Sequence, residues 1–490
     1  MEFFQVSFLI VIFLFFALMM FFRKIPALIA LPLMAFFISL VGGIQFNDII
    51  KYVVGEGSAK LFQAYTIAMF GSMLSVMMQK TGVAEAFIKK GAELSGDNPW
   101  IISVIMLFLI ISLFTTLGGL GAIIMVATIV LPIMSSVGVG PMTAVGIFLF
   151  GLSIGGLLNV GNWAVYISVM NLTIEQIKPF AMLMLIISVI AAIIYITIQL
   201  YKDGQDINFK KIILNSFLIL MLTSLIYLIF SNYLPEHIQE LLLNSLSTIG
   251  KTLKALIITG IIVLFLVAFI RILLNKNESQ NPHWISFFSP FIPLFLILIY
   301  DVNFIAAFIL GLLFAFLSTY KKGSLNIFIK SCFEGGGVVM PAVALMFGIG
   351  MLLVAIMGPG IELKHYPNGW PVLNLIKPLM LEIIPTNAFS YILIFTIAAP
   401  LALYRGPLNV WGMGYGIAAV FLASGMNPGA IMGLLLAVGQ IQGISDPTNT
   451  HNVWLANEMR VDVQKVLWNT IPYTWILAFA GLIISALMFL

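Results

Sequence analysis

The chain has 490 residues, of which 61% are hydrophobic and 9% are charged, and its mean hydropathy is +1.12. Soluble domains carry about 25% charged residues, so this composition excludes a water-soluble globular protein and predicts an all-α integral membrane protein. The formal net charge of +4 is too small for a nucleic-acid-binding surface, and the one cysteine, Cys332, excludes an intramolecular disulfide.

Apolar stretches long enough to cross roughly 30 Å of hydrocarbon recur along the whole chain. About 12 transmembrane helices are predicted, at 3–22, 25–42, 61–78, 141–170, 180–200, 212–230, 255–274, 285–300, 302–319, 338–357, 428–457 and 466–490. Two further stretches, 100–135 and 388–424, are interrupted by Gly118-Gly119 and by Arg405-Gly406-Pro407. Helix breakers in the middle of an apolar stretch favour re-entrant hairpins at both places.

The positions of the basic residues predict the orientation of this topology. Fifteen Lys and Arg residues fall on one side of the membrane and seven on the other, with Arg405 inside it. By the positive-inside rule, the side with fifteen is cytoplasmic. We therefore expect a multi-pass protein of the inner (cytoplasmic) membrane of the cell, with both termini outside.

The two ends of the chain repeat a pattern of glycines and helix breaks. With a shift of 288 residues, Gly118 corresponds to Gly406 and Gly155 corresponds to Gly443. Seven predicted crossings separate the starts of the two repeats, and an odd number inverts the second repeat relative to the first. The hairpin tips should then converge near the middle of the membrane.

This pattern divides the chain into three regions. A first repeat at 1–200 holds the hairpin at 100–135 and a broken helix at 141–170. A linker at 201–284 holds two transmembrane helices, and a second, inverted repeat at 285–490 holds the hairpin at 388–424 and a broken helix at 428–457.

The helix breaks are the predicted binding site. A break in lipid frees backbone N–H and C=O groups that cost several kcal/mol each unless they are satisfied. Freed N–H groups favour an anion, whereas freed carbonyls with Asn and Thr oxygens suit Na⁺. The predicted substrate contacts are Arg405, Gly118, Gly119, Gly406, Asn409, Asn162 and Asn452, and the predicted ion contacts are Asn159, Gly161, Asp446, Thr448, Asn449 and Thr450.

Two charged residues within these breaks have alternative roles. Arg405 is expensive in mid-membrane, so it should clamp a substrate carboxylate or phosphate, or else pair with a protein carboxylate such as Asp446. Asp446 could bind Na⁺, carry a proton, or cap the following half-helix. Na⁺ is expected to bind at Asn159, Asp446 and Asn449. The side chains of the two asparagines could instead form hydrogen bonds with backbone groups that the helix breaks leave free.

An enzyme is not predicted. Gly151-Leu152-Ser153-Ile154-Gly155 has the spacing of a nucleophile elbow, but the corresponding segment of the second repeat, 439–443, has no serine. Glycines shared by both halves fit close helix packing better. No cofactor is expected beyond a coupling ion.

The breaks resemble those of the ion transporter superfamily, which includes divalent-anion:sodium symporters, citrate and gluconate carriers and some sodium/proton antiporters. The similar segments are 152–162, with its Gly-Gly and Asn-Val-Gly-Asn, 130–133 at the end of the first hairpin, and 443–449, with its Asp-Pro-Thr-Asn. The resemblance implies a homodimeric scaffold domain and a transport domain that moves as an elevator, coupled to Na⁺ or H⁺.

The leading hypothesis from the sequence is therefore a cation-coupled secondary active transporter of a small organic anion, a carboxylate. A sodium/proton antiporter is the alternative, with Asp446 as the exchanging carboxylate and Arg405 as its structural partner. A passive channel fits less well, because two hairpins that meet midway form two gates.

Overall fold

The structure, a computed structural model, describes residues 2–22, 24–206, 236–274, 281–383, 385, 387–410 and 414–490. The described residues are predominantly helical and contain no β-strand, as predicted. The predicted crossing at 212–230 lies outside the described residues.

The amino-terminal part contains nine α-helices of more than three residues among the described residues. They are α1 (Glu2–Phe21), α2 (Ala27–Val41), α3 (Phe62–Lys80), α4 (Val83–Ser95), α5 (Pro99–Phe114), α6 (Leu120–Ser136), α7 (Pro141–Leu157), α8 (Val160–Met170) and α9 (Ile174–Lys202). Before α3 lie the short helices Phe46–Asp48 and Gly57–Ala59 and the π-helix Ile49–Glu56. Together with α3 they form one segment, Phe46–Lys80, that is long and apolar enough to cross a membrane.

The remaining helices follow the gap in the described residues. They are α10 (Glu236–Leu273), α11 (Phe291–Tyr300), α12 (Phe304–Ser318), α13 (Ser324–Met357), α14 (Pro371–Ile383), α15 (Ala388–Ala398), α16 (Tyr415–Ala423), α17 (Pro428–Leu434), α18 (Thr450–Glu458) and α19 (Val463–Phe489). Three irregular segments, Trp284–Phe288, Ala399–Arg405 and Ile441–Ile444, are 3₁₀-helical, except that the second is kinked at Leu403 and Tyr404, and Leu435–Gln440 is π-helical.

The chain is a multi-pass membrane protein. By length and composition, six described helical segments can cross a membrane, and α7 with α8, bent by 47° at their junction, makes a seventh. Seven shorter apolar helices accompany them within the described residues. Large apolar side chains such as Phe4 and Phe8 of α1 are more than half exposed, as lipid-facing side chains are. The total of 12 crossings stays a prediction.

The helices break where the sequence places helix breakers. α5 ends at Phe114, and α6 begins only after Gly119, whose φ of +84° favours glycine. In the second half, Tyr404 and Arg405 adopt left-handed φ angles of 56° and 54°. With the shift of 288, Ile174 at the start of α9 corresponds to Asp462, one residue before α19 begins.

Corresponding helices of the two halves pack against each other. α13 lies along α3 and α2, and α9 packs against α19. α7 contacts the 3₁₀ segment Ile441–Ile444, so the broken helix of the first half touches that of the second. This packing brings the interruptions of both halves into one region of the molecule.

Candidate functional site

A cavity of about 480 Å³ lies between the helix breaks of the two halves. This volume is within the usual range for small-molecule sites, roughly 300–1,000 Å³. The predicted residues that line the cavity are Gly118, Gly119, Asn159, Gly161 and Asn162 from the first half and Arg405, Asn409, Asn449 and Thr450 from the second. Gly406, Asp446, Thr448 and Asn452, which were also predicted, do not line it.

In the first half, the side chain of Asn159 ties the hairpin tip to the broken helix. Its Nδ2 donates to the carbonyl oxygens of Phe114, at 2.9 Å, and Leu117, at 3.3 Å. Its Oδ1 accepts from the backbone N–H of Gly161 at 3.0 Å, which caps α8. Asn159 therefore satisfies backbone groups that both interruptions leave free.

In the second half, the buried carboxylate of Asp446 connects the hairpin tip to the broken helix. It accepts hydrogen bonds from the tip, whereas Asn159 donates them. Asp446 Oδ1 accepts from the backbone N–H of Tyr404 at 3.0 Å, and Asp446 Oδ2 accepts from that of Arg405 at 3.2 Å. Asn409 Nδ2 also donates to Oδ2 at 3.2 Å, and the backbone N–H and hydroxyl of Thr448 donate to Oδ1. Five donors fill the roughly four lone-pair positions of a carboxylate, so Asp446 has no free position for an ion in this state.

These bonds also explain the backbone at the second tip. Left-handed geometry at a residue other than glycine costs roughly 1–2 kcal/mol, and two consecutive residues, Tyr404 and Arg405, adopt it. Both N–H groups point to the carboxylate of Asp446. The charge-assisted bonds stabilise a backbone conformation that the sequence alone would disfavour.

The guanidinium of Arg405 has no carboxylate partner among the described residues. Its Nη2 donates to Thr450 Oγ1 at 3.2 Å, and Arg405 appears in none of the described ion pairs. Asp446 therefore contacts the backbone of Arg405 and not its charge, so the predicted structural pair of these two side chains does not form. The guanidinium lines the cavity with donors available to a ligand.

The other predicted asparagines bond to carbonyl oxygens near the breaks. Asn162 Nδ2 donates to Gly156 O at 3.0 Å, and Asn452 Nδ2 donates to Ile444 O, the position that corresponds to Gly156, also at 3.0 Å. Asn449 Nδ2 donates to Gly443 O at 3.1 Å. Their side-chain amides thus donate hydrogen bonds to backbone carbonyl oxygens near the helix breaks. Binding of Na⁺ by Asn159, Asp446 and Asn449 stays a prediction.

Sequence reasoning missed one contact between the halves. Ser153 Oγ donates to the carbonyl oxygen of Gln440 at 3.0 Å, and Gln440 Nε2 donates to Ser153 O at 3.4 Å. Gln440 Oε1 is buried without a hydrogen-bond partner in the described residues, and Gln440 lines the cavity. A glutamine within an apolar helix was the available signal. No group of three or more His, Cys, Asp or Glu side chains that could hold a metal occurs in the described part of the chain.

Comparison with known proteins gives a fold but no family. No family model matches the chain, and no curated protein matches it. Among solved structures, the chain is similar to the YdaH transporter of Alcanivorax borkumensis, described as having an unusual topology, with a TM-score of 0.52 and 12% sequence identity. The similarity covers 90% of this chain and 87% of the YdaH chain. The chain therefore shares its fold with a membrane transporter.

Proposed function

We propose that this protein is a secondary active transporter that moves a small organic anion, a carboxylate, across the cytoplasmic membrane together with Na⁺ or H⁺. One observation carries the proposal. Arg405 lines a cavity between the helix breaks of both halves, and its guanidinium has no carboxylate partner in the part of the chain that the structure describes. An arginine held this way is suited to bind a carboxylate through two parallel hydrogen bonds.

The hairpin tips supply the rest of the anion site. Gly118 and Gly119 line the cavity with no side chain beyond a hydrogen, so a ligand can approach the backbone closely. Asn162 and Thr450 add polar groups beside them. Na⁺ or H⁺ would enter with the substrate and offset its negative charge in the low-dielectric interior.

The proposal extends to the oligomeric state of the protein and to the movement that carries the substrate. The chain would form a homodimer in the bilayer and carry its substrate by an elevator movement of the hairpins and broken helices. The fold that it shares with a solved transporter supports transport in general and specifies neither substrate nor ion.

Solid-supported-membrane electrophysiology on reconstituted protein tests the proposal. Charge movement that needs both a carboxylate and Na⁺ or H⁺ supports the organic-anion carrier. Proton flux driven by Na⁺ alone would indicate the sodium/proton antiporter instead. That alternative requires Asp446 to exchange the two ions, and five donors already occupy its carboxylate. A steady conductance far above carrier turnover would indicate a channel.

A further inference from the structure

The cavity has two walls of different chemistry. One wall comes from the hairpin tips and the broken helices, and it is mixed: it carries the polar side chains of Arg405, Asn162 and His451 and apolar side chains such as Leu120 and Leu152. The other comes from α3, α12 and α13. These two walls constrain the substrate more closely than the presence of a cationic group alone.

The wall from α3, α12 and α13 is apolar. On α13, Val338, Ala342 and Leu345 line the cavity at helical spacing, so one face of this helix is directed to it. Phe308 of α12 and Ile67 of α3 extend the same surface. Ser72 of α3 supplies the one polar side chain that the described residues of these helices contribute to the cavity.

The charge of the cavity is also limited. Among the described residues that line it, Arg405 is the only Lys or Arg, His451 is the only other titratable side chain that could carry a positive charge, and there is no Asp or Glu. One guanidinium binds one carboxylate through a pair of hydrogen bonds. A second carboxylate on the ligand would find no second Lys or Arg among the described lining residues and would face amides, the imidazole of His451 or the apolar wall, and burying an unpaired charge there is costly.

On the basis of the proposed function, we infer that the substrate is an amphipathic monocarboxylate: one carboxylate bound by Arg405, attached to an apolar body that packs against α3, α12 and α13. Short hydrophilic dicarboxylates and tricarboxylates would leave this apolar wall unused. Burial of each additional methylene contributes about 0.8 kcal/mol, which corresponds to roughly fourfold in affinity.

A homologous series of acids tests the inference in proteoliposomes. We expect half-saturating concentrations to fall by about fourfold per methylene from acetate to hexanoate, and phenylacetate to bind more tightly than acetate. Succinate and citrate should compete weakly. If succinate or citrate is transported best and the monocarboxylate series is flat, the inference is wrong and the proposed function stands. If no organic acid moves or competes, both fail.

A variant of the apolar wall sharpens this test. Leu345→Ala removes apolar area from the cavity, so it should weaken hexanoate binding by about tenfold and leave acetate binding unchanged. Met340→Ala is the control, because Met340 lies on the same helix, is 55% exposed and does not line the cavity. An equal loss for acetate and hexanoate in Leu345→Ala would contradict contact between this wall and the apolar body.

A glycine of the first tip offers an independent steric test. A Cβ added at Gly118 meets no atom within 4 Å, and its φ does not require glycine, so a side chain there can project without displacing the backbone. Gly118→Leu should therefore block the approach of the carboxylate to this tip and impair uptake of acetate and hexanoate alike. Gly121→Leu is the matched control, because Gly121 is equally open but does not line the cavity. If the Gly118 variant transports hexanoate normally, the ligand does not occupy this cavity.

Discussion

At the residue scale, removing the charge of Arg405 distinguishes a role in substrate binding from a structural role. Arg405→Gln keeps a polar side chain but shortens it and removes a charge-assisted bond worth about 1.5–3 kcal/mol, so KM for the carboxylate should rise roughly 10- to 150-fold. Because its only described side-chain partner is Thr450, the melting temperature should change little. Initial rates of uptake and a thermal melt measure the two effects. A normal KM would assign Arg405 a structural role.

Asp446 gives a second prediction at this scale. Asp446→Asn replaces one acceptor oxygen with a donor, which opposes the N–H group of either Tyr404 or Arg405 and should destabilise the tip by about 1.5–3 kcal/mol. KM for the substrate should then rise while the cation concentration for half-maximal rate stays constant.

A second substitution distinguishes positioning from ion binding at Asp446. Tyr404→Gly removes the strain of a left-handed tyrosine, so it should partly restore KM in the Asp446→Asn background. A large change in cation dependence that Tyr404→Gly does not restore would instead support Asp446 as an ion ligand.

At the scale of elements, Asn159 connects the first hairpin to the broken helix. Asn159→Ala should free the carbonyls of Phe114 and Leu117 and remove the cap of α8, at a cost of about 1–2 kcal/mol. Hydrogen exchange of residues 115–121 should increase, and transport should slow.

Asn98 provides the matched control for Asn159. It caps the opposite end of the first hairpin, where its Oδ1 accepts from the N–H groups of Trp100 and Ile101. Asn98→Ala should lower the melting temperature comparably and leave both transport and exchange at 115–121 unchanged. If both variants impair transport equally, the effect is on general stability.

The breaks illustrate how much the sequence could predict at this scale. Gly118-Gly119 and Arg405-Gly406-Pro407 indicated both tips, because Gly and Pro interrupt helices by known physical rules. The hydrogen-bond partners were not predictable. Ser153 and Gln440 are 287 residues apart, and only the packing of α7 against the second half brings them into contact.

At the scale of the whole molecule, the sequence predicted an all-helical membrane protein, which the described residues confirm, and about 12 crossings, which stay a prediction. The composition alone was sufficient to predict that the chain is an integral membrane protein. The shorter apolar helices, with 10–17 residues, are at most about 25 Å long at 1.5 Å per residue, slightly less than the hydrocarbon core. Their length therefore does not distinguish a crossing from half of a hairpin.

The predicted orientation can be tested with cysteine labelling. Cys332 is the only cysteine, so Cys332→Ser gives a background without thiols. Single cysteines introduced near Glu2 and at Leu490 should react with a membrane-impermeant reagent added to whole cells, because the positive-inside rule places both termini outside. A cysteine at Lys322, in the basic loop before α13, should react only after permeabilisation. The opposite labelling pattern would invert the topology.

Concentrative uptake into proteoliposomes tests whether Arg405 binds the carboxylate of a cation-coupled substrate. A labelled monocarboxylate such as hexanoate would be supplied outside, with an inward gradient of Na⁺ or H⁺ imposed, for the wild type and Arg405→Gln. We expect the wild type to accumulate the acid above its external concentration only with the gradient, and the variant to lose this uptake at low substrate concentration. Accumulation by Arg405→Gln equal to that of the wild type, or movement only down the acid's own gradient, would contradict this expectation.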